Sequence, residues 1–197
     1  MRNNKGVKVS GNIQNQEPIS EEKNNMPEYT PMQEVIDNIP YAVMTLLGMV
    51  IFITAFNESL WGTIAGFAYL FYGIAGAVWI MIFVCPYCTY WDTKSCPCGY
   101  GRIAAKFTTK STVECFSEKF KKHIPVIVPL WFIPLLVGIF VVIKNFSWLL
   151  VILMIIFAID AFVILPLIST KHGCKECPQK ETCPWMKHKI KPLTNNA

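Results

Sequence analysis

Gly62–Val84 reads GTIAGFAYLFYGIAGAVWIMIFV, without one Asp, Glu, Lys or Arg, and runs straight into Cys85-Pro86-Tyr87-Cys88. A helix needs about 20 mostly apolar residues to cross the ~30 Å hydrocarbon core of a bilayer. This stretch meets that length, as do Ile124–Ile143 and Phe146–Ser169. Tyr41–Phe56 is shorter and becomes a span when Ile39 and Pro40 are counted with it. Four transmembrane helices are therefore predicted. Composition agrees: 53% of the 197 residues are hydrophobic and 16% charged, where a soluble domain carries about a quarter charged residues.

Only Asn57-Glu58-Ser59-Leu60-Trp61 separates the first two spans, and only Lys144-Asn145 the last two. Links this short force antiparallel hairpins. Trp61 and Trp148 lie beside these turns, where amphipathic indoles favour the membrane–water boundary. The expected fold is an all-α membrane protein with two transmembrane hairpins, 39–84 and 124–169. A Cys-rich loop, 85–123, and a Cys-containing tail, 170–197, fall on one side together with a polar N-terminal segment, 1–38. That segment is poor in apolar residues and holds Pro18, Pro27 and Pro31. It is predicted to be disordered because it buries too little surface to offset the entropy of ordering. Met32–Ile39 is expected to form a short interfacial turn of helix. The first apolar block begins after about forty residues, too far in for a cleavable signal peptide, so insertion is expected to rely on the helices themselves.

Of the 18 Lys and Arg residues, seven lie in the loop, six in the tail and four in the N-terminal segment. Lys144 alone marks the opposite face. The positive-inside rule then predicts a multi-pass protein of the cell (inner) membrane with loop and both termini cytoplasmic. The formal net charge of +5 belongs to this topology; no basic domain exists to hold a nucleic acid. Lys119-Phe120-Lys121-Lys122-His123 is a basic run against the membrane, read as a topological anchor or as a site for anionic headgroups.

Eight cysteines in a reducing compartment argue against a disulfide framework. Cys85, Cys88, Cys96 and Cys98 form C-x2-C-x7-C-x-C, and Cys174, Cys177 and Cys183 form C-x2-C-x5-C. Four thiolates complete a tetrahedral zinc site or hold a cubane iron–sulfur cluster. Gly99 and Gly101 allow the backbone to fold around the first group. The second group lacks a fourth ligand, for which Cys115 and His172 are candidates; a cluster with one open iron position is the third possibility. Cys115 also fits a buried thiol packing as a small hydrophobe. A C-x-C pair is tight for zinc knuckles, whereas cluster spacing is loose, so iron–sulfur is favoured over zinc. Proline follows Cys85, Cys96, Cys177 and Cys183, but the spacings do not match the ferredoxin run. Tyr87, Tyr90, Trp91 and Trp185 are candidates for an apolar shell.

Cys85-Pro86-Tyr87-Cys88 is identical to the active-site tetrapeptide of glutaredoxins, a resemblance of four residues that implies thiol exchange. A glutaredoxin places it after a strand of a βαβ unit; here a membrane helix precedes it. Four-helix membrane thiol oxidoreductases act on the oxidising side, which the charge distribution opposes.

Asp160 lies about nine residues, or ~13 Å, from the cytoplasmic end of the fourth span. Such an ionisable group is a candidate proton relay or quinone contact, or else a protonated Asp hydrogen-bonded to Tyr69 or Tyr72. His123 and His172 flank spans and His188 is in the tail, so facing axial ligands for a membrane haem are missing. Gly62, Gly66, Gly73 and Ala77 share a helix face, read as internal packing with a homodimer seam as the alternative. Pro129, Pro134 and Pro166 are expected to kink the last two spans. No P-loop, GxGxxG, HExxH or GxSxG motif is present, and no catalytic residue is assigned. The leading expectation is a redox or electron-transfer subunit that holds one or two iron–sulfur clusters and meets a soluble or membrane redox partner. The alternatives are a zinc-stabilised scaffold or assembly factor, and a thiol oxidoreductase or metal transporter.

Overall fold

The computed structural model describes residues 28–56, 59–175, 177–180, 183, 184 and 186. Among the described residues every regular element is helical. Four runs are long and apolar enough to cross a membrane: Pro31–Ala55, Leu60–Tyr87, Val113–Lys144 and Trp148–Lys171, with mean hydropathies of 1.8 to 2.9. The multi-pass helical architecture is as expected. The predicted disorder of residues 1–27, the side chains of His172 and Trp185, and His188 lie outside the described residues.

Helix α1 (Pro31–Ala55) starts earlier than the apolar pattern implies. Thr30 caps it in a reciprocal box: its hydroxyl accepts from the Gln33 amide while the Gln33 side chain accepts from the Thr30 amide. Pro31 occupies the first turn, where its missing N–H costs nothing. Residues 31–38, assigned from sequence to the disordered segment, are instead the first turns of a continuous helix, and the short turn expected over Met32–Ile39 is part of it.

Helix α2 (Leu60–Phe83) is capped by Ser59, whose hydroxyl accepts from the Gly62 amide. Its small residues face α1. A methyl group on Gly66 would stand 2.9 Å from the Met49 carbonyl oxygen, and one on Gly73 would stand 2.5 Å from Thr45 Cγ2. The small-residue stripe is thus internal packing, and it is completed by buried Gly76, not by half-buried Ala77.

Between the hairpins lie two short helices, α3 (Tyr100–Ala104) and α4 (Phe116–His123). The third span continues from α4 through a 3-10 turn, Ile124–Val126, into α5 (Pro129–Lys144). Pro129 opens α5 instead of interrupting a helix, and Pro134 is buried inside it. The fourth span is α6 (Trp148–Ile159), a π-helical turn over Asp160–Ile164, then α7 (Leu165–Ile168) with Pro166 in its first turn. The Leu165 amide reaches back five residues to the Asp160 carbonyl, so the helix widens just ahead of the proline that cannot donate.

Met44, Ile51, Leu130, Leu150 and Phe157, drawn from α1, α5 and α6, are shut inside the bundle. Tyr41 donates to the Gly73 carbonyl at 2.7 Å and Tyr69 to that of Leu130 at 2.8 Å. Phe67, Phe71, Leu136, Phe140 and Ile155 point outwards, the arrangement expected of helices whose solvent is hydrocarbon. At one end of the bundle the Tyr29 amide donates to the Lys94 carbonyl at 3.0 Å, and Gln179 of the tail reaches the loop. The helix 1 extension, the loop and the tail therefore meet at the same end, as the hairpin arithmetic requires.

Candidate cysteine-lined site

Helix α2 hands the chain to a tight 3-10 turn, Cys85–Tyr87, closed by the Cys88 amide donating to the Cys85 carbonyl at 3.0 Å. The backbone then doubles back. Gly99 sits at φ +71°, where a side chain would be strained. Gly101 passes so close to Tyr90 that a methyl group would fall 2.5 Å from the Tyr90 carbonyl oxygen. That close pass lets the Gly101 amide donate to Cys96 Sγ at 3.3 Å. The sequence assigned both glycines to folding this loop, and the geometry gives each a specific reason.

The tail comes to the loop through a second π-helical turn, Ser169–Cys174, which brings Gly173 against the Pro97 ring. Gln179, 7% exposed, ties the tail to the loop. Its side-chain oxygen accepts from the Thr89 amide at 3.1 Å, and its nitrogen donates to the Tyr87 and Val113 carbonyls at 3.4 Å. The Cys183 amide donates to the Gln179 carbonyl at 2.8 Å.

These contacts frame a partly open cavity of about 340 Å³ lined by Cys85, Cys88, Cys96, Cys98, Cys174, Cys177 and Cys183. Val84, Phe116, Phe120, Ile124, Trp131 and Leu165 form much of its apolar wall. Seven thiols in two sequence groups face one space. All eight cysteines are free. Cys115 is not in the lining; it ends the 3-10 turn before α4. Among the described residues, no three His, Cys, Asp or Glu side chains converge closely enough to hold a single metal ion. Of the aromatic shell, Tyr90 lines the cavity and Tyr100 joins it. Tyr87 lies under Lys119, and the Trp91 indole donates to Thr108 at 3.3 Å.

Three residues of the α1 extension belong to this end, and the apolar pattern gave no sign of them. Glu34 forms an ion pair with Arg102 of α3 through both carboxylate oxygens. Asn38 donates to the Cys98 carbonyl at 3.0 Å. Asp37 lines the cavity beside the cysteines, both its carboxylate oxygens shielded from solvent. The Thr30-x-x-Gln33 capping box was the available signal that helix starts before Asp37.

The acidities follow from the crowding. The hydrogen bond from Cys98, reinforced by the amides of Gly101, Cys98 and Gly99, pulls the Cys96 thiol down to about 7. Cys98 is pushed well above the usual thiol range, first because it donates to Cys96, then by burial and the nearby Cys96, Cys85 and Asp37. Burial pushes Cys88 up, against the amide of Tyr90 that favours its anion, and burial also raises Cys177. Acids that share a water-poor space resist ionising together. Positive charge placed among them would relieve this.

Asp160 is 5% exposed, its Oδ2 without a hydrogen-bond partner, and it does not line the cavity. The tyrosine bond expected for it is not formed: Tyr69 donates to Leu130 and Tyr72 to the Val126 carbonyl. His123 stacks on Phe83 with centroids 4.9 Å apart, a boundary residue. Compared with family models, curated proteins and solved structures, the chain matches none.

Proposed function

We propose that this chain is a membrane redox subunit that holds iron–sulfur at its seven-cysteine cavity and passes electrons between a soluble partner and a membrane acceptor. The carrying observation is the cavity itself: seven thiols stand around one space of about 340 Å³. Zinc holds its sulfurs at about 2.3 Å from one point, which gathers them tightly. A cubane cluster keeps its cysteines apart at its corners and fills the space between with iron and sulfide. The apolar wall suits such a cluster, since burial and solvent exclusion set its potential. With seventeen of the 18 basic residues on this side by the hairpin topology, the site faces the cytoplasm.

Protein purified anaerobically in detergent is expected to be brown, with iron and acid-labile sulfide in equal amounts and a visible spectrum bleached by dithionite. Colourless protein with stoichiometric zinc overturns this reading in favour of the zinc-stabilised scaffold. A mixed disulfide trapped on Cys85 or Cys88 from metal-free membranes would instead point to thiol exchange.

A further inference from the structure

A four-iron cluster takes four protein ligands. Seven cysteines complete one such set and leave a second one short. Sequence offered Cys115 or His172 for the missing place, and Cys115 stands outside the cavity lining. Building on the iron–sulfur reading above, we infer that Asp37 supplies the eighth ligand, so that seven thiolates and one carboxylate hold two four-iron clusters in the one cavity.

The placement of Asp37 is secured by its neighbours. One turn before it, Glu34 is clamped by Arg102; one residue after it, Asn38 donates to the Cys98 carbonyl at 3.0 Å and to the Glu34 carbonyl at 2.7 Å. The helix therefore presents position 37 to the cysteine loop, and Asp37 lines the same cavity as Cys96 and Cys98 with both oxygens shielded from water. Two other oxygen-bearing types reach the lining: the phenols of Tyr90 and Tyr100, and the Ser169 hydroxyl. A carboxylate offers two oxygens to a cation where each of these groups offers one. Iron accepts carboxylate oxygen as well as sulfur. A carboxylate gathered with seven acidic thiols in an apolar space is favoured by a cationic core among them.

The test compares full-length wild type with Asp37→Ala, Asp37→Cys and His172→Ala, each purified anaerobically and measured for iron, sulfide and electron paramagnetic resonance. Wild type is expected to hold about eight irons per chain. Asp37→Ala should lose about one of them and show the signal of a three-iron cluster after mild oxidation. Asp37→Cys should regain the full iron content. Unchanged iron and spectrum in Asp37→Ala, loss confined to His172→Ala, or about four irons per wild-type chain overturns the role of Asp37 while leaving the cluster reading standing. Wild type without iron overturns both.

Discussion

Gln179 is a buried tail side chain hydrogen-bonded to the loop at three points, and its removal has a calculable effect. Gln179→Ala deprives the Thr89 amide of its acceptor at 3.1 Å and the Tyr87 and Val113 carbonyls of their donor at 3.4 Å. A buried group left unsatisfied costs about 1–3 kcal/mol. The Thr89 bond has good geometry and counts near the middle of that range; the two long bonds count little. The sum is about 2–3 kcal/mol against docking of the tail. At 1.36 kcal/mol per decade this multiplies the undocked population about 30- to 150-fold. In metal-free, reduced protein in detergent, thiols react with a maleimide through that undocked state when opening is fast relative to reaction. Alkylation of Cys177 and Cys183, located by mass spectrometry, should therefore accelerate by the same factor in Gln179→Ala. Gln179→Met, which keeps the volume, separates the hydrogen bonds from packing and should give most of the effect. Cys115, outside the cavity lining, serves as the internal control. An acceleration under threefold at Cys177 and Cys183 would refute the assignment of Gln179 as the tie.

Glu34→Gln and Arg102→Met should each cost about 1–3 kcal/mol, between the values for exposed and buried pairs, because the Glu34 side chain is 12% exposed and that of Arg102 38%. Detergent melting temperatures should fall by several degrees, with the double variant no worse than the poorer single. Gly66→Ala drives a methyl group to 2.9 Å from the Met49 carbonyl and should destabilise the first hairpin by about 1–3 kcal/mol. Ala68→Leu on the outward face of the same helix should leave the melting temperature unchanged. In metal-free protein Cys96 should ionise near pH 7, below the ordinary 9.0, while Cys98 keeps its proton. The sign follows: Cys96, lowered on folding, adds stability that is full above 9.0 and lost as pH falls through about 7. Thiolate absorbance should show one early ionisation, which Cys98→Ala moves upwards; an unmoved midpoint would exclude the shared proton. Asp160→Leu removes a buried oxygen without a partner and should raise the melting temperature, by about 1–3 kcal/mol of added stability, if its role is structural only.

The fold was legible because a bilayer leaves the backbone few options. Four apolar blocks and two short links leave two hairpins as the solution that satisfies every buried amide. The glycine spacing in the second span even identified the face that meets α1. What periodicity could not show was the start of α1. Met32–Ile39 contains Gln33, Glu34, Asp37 and Asn38, and such polarity reads as solvated chain. These residues are polar because they meet the cysteine loop, as the Glu34–Arg102 pair and the Asn38–Cys98 bond show.

At the site, spacing picked out two groups of thiols, and the hairpin topology placed loop and tail at one end, where seven of those thiols line a single cavity. C-x2-C-x7-C-x-C invites one centre for the loop and another for the tail. In space, Gln179 crosses from the tail to residues 87–89 and Gly173 meets Pro97 between Cys96 and Cys98. Both groups thus line one cavity. A ligand motif records which sulfurs are close along the chain, and a membrane hairpin decides which are close across it. Here the hairpins bring the tail back to the loop, and the capped start of α1 extends that helix far enough to add Asp37. The second and fourth spans feed the cysteine segments directly and the first carries Asp37. Whatever occupies the cavity is therefore bound in the same act that packs the bundle, and its loss should loosen the helices from this end before the Lys144 end.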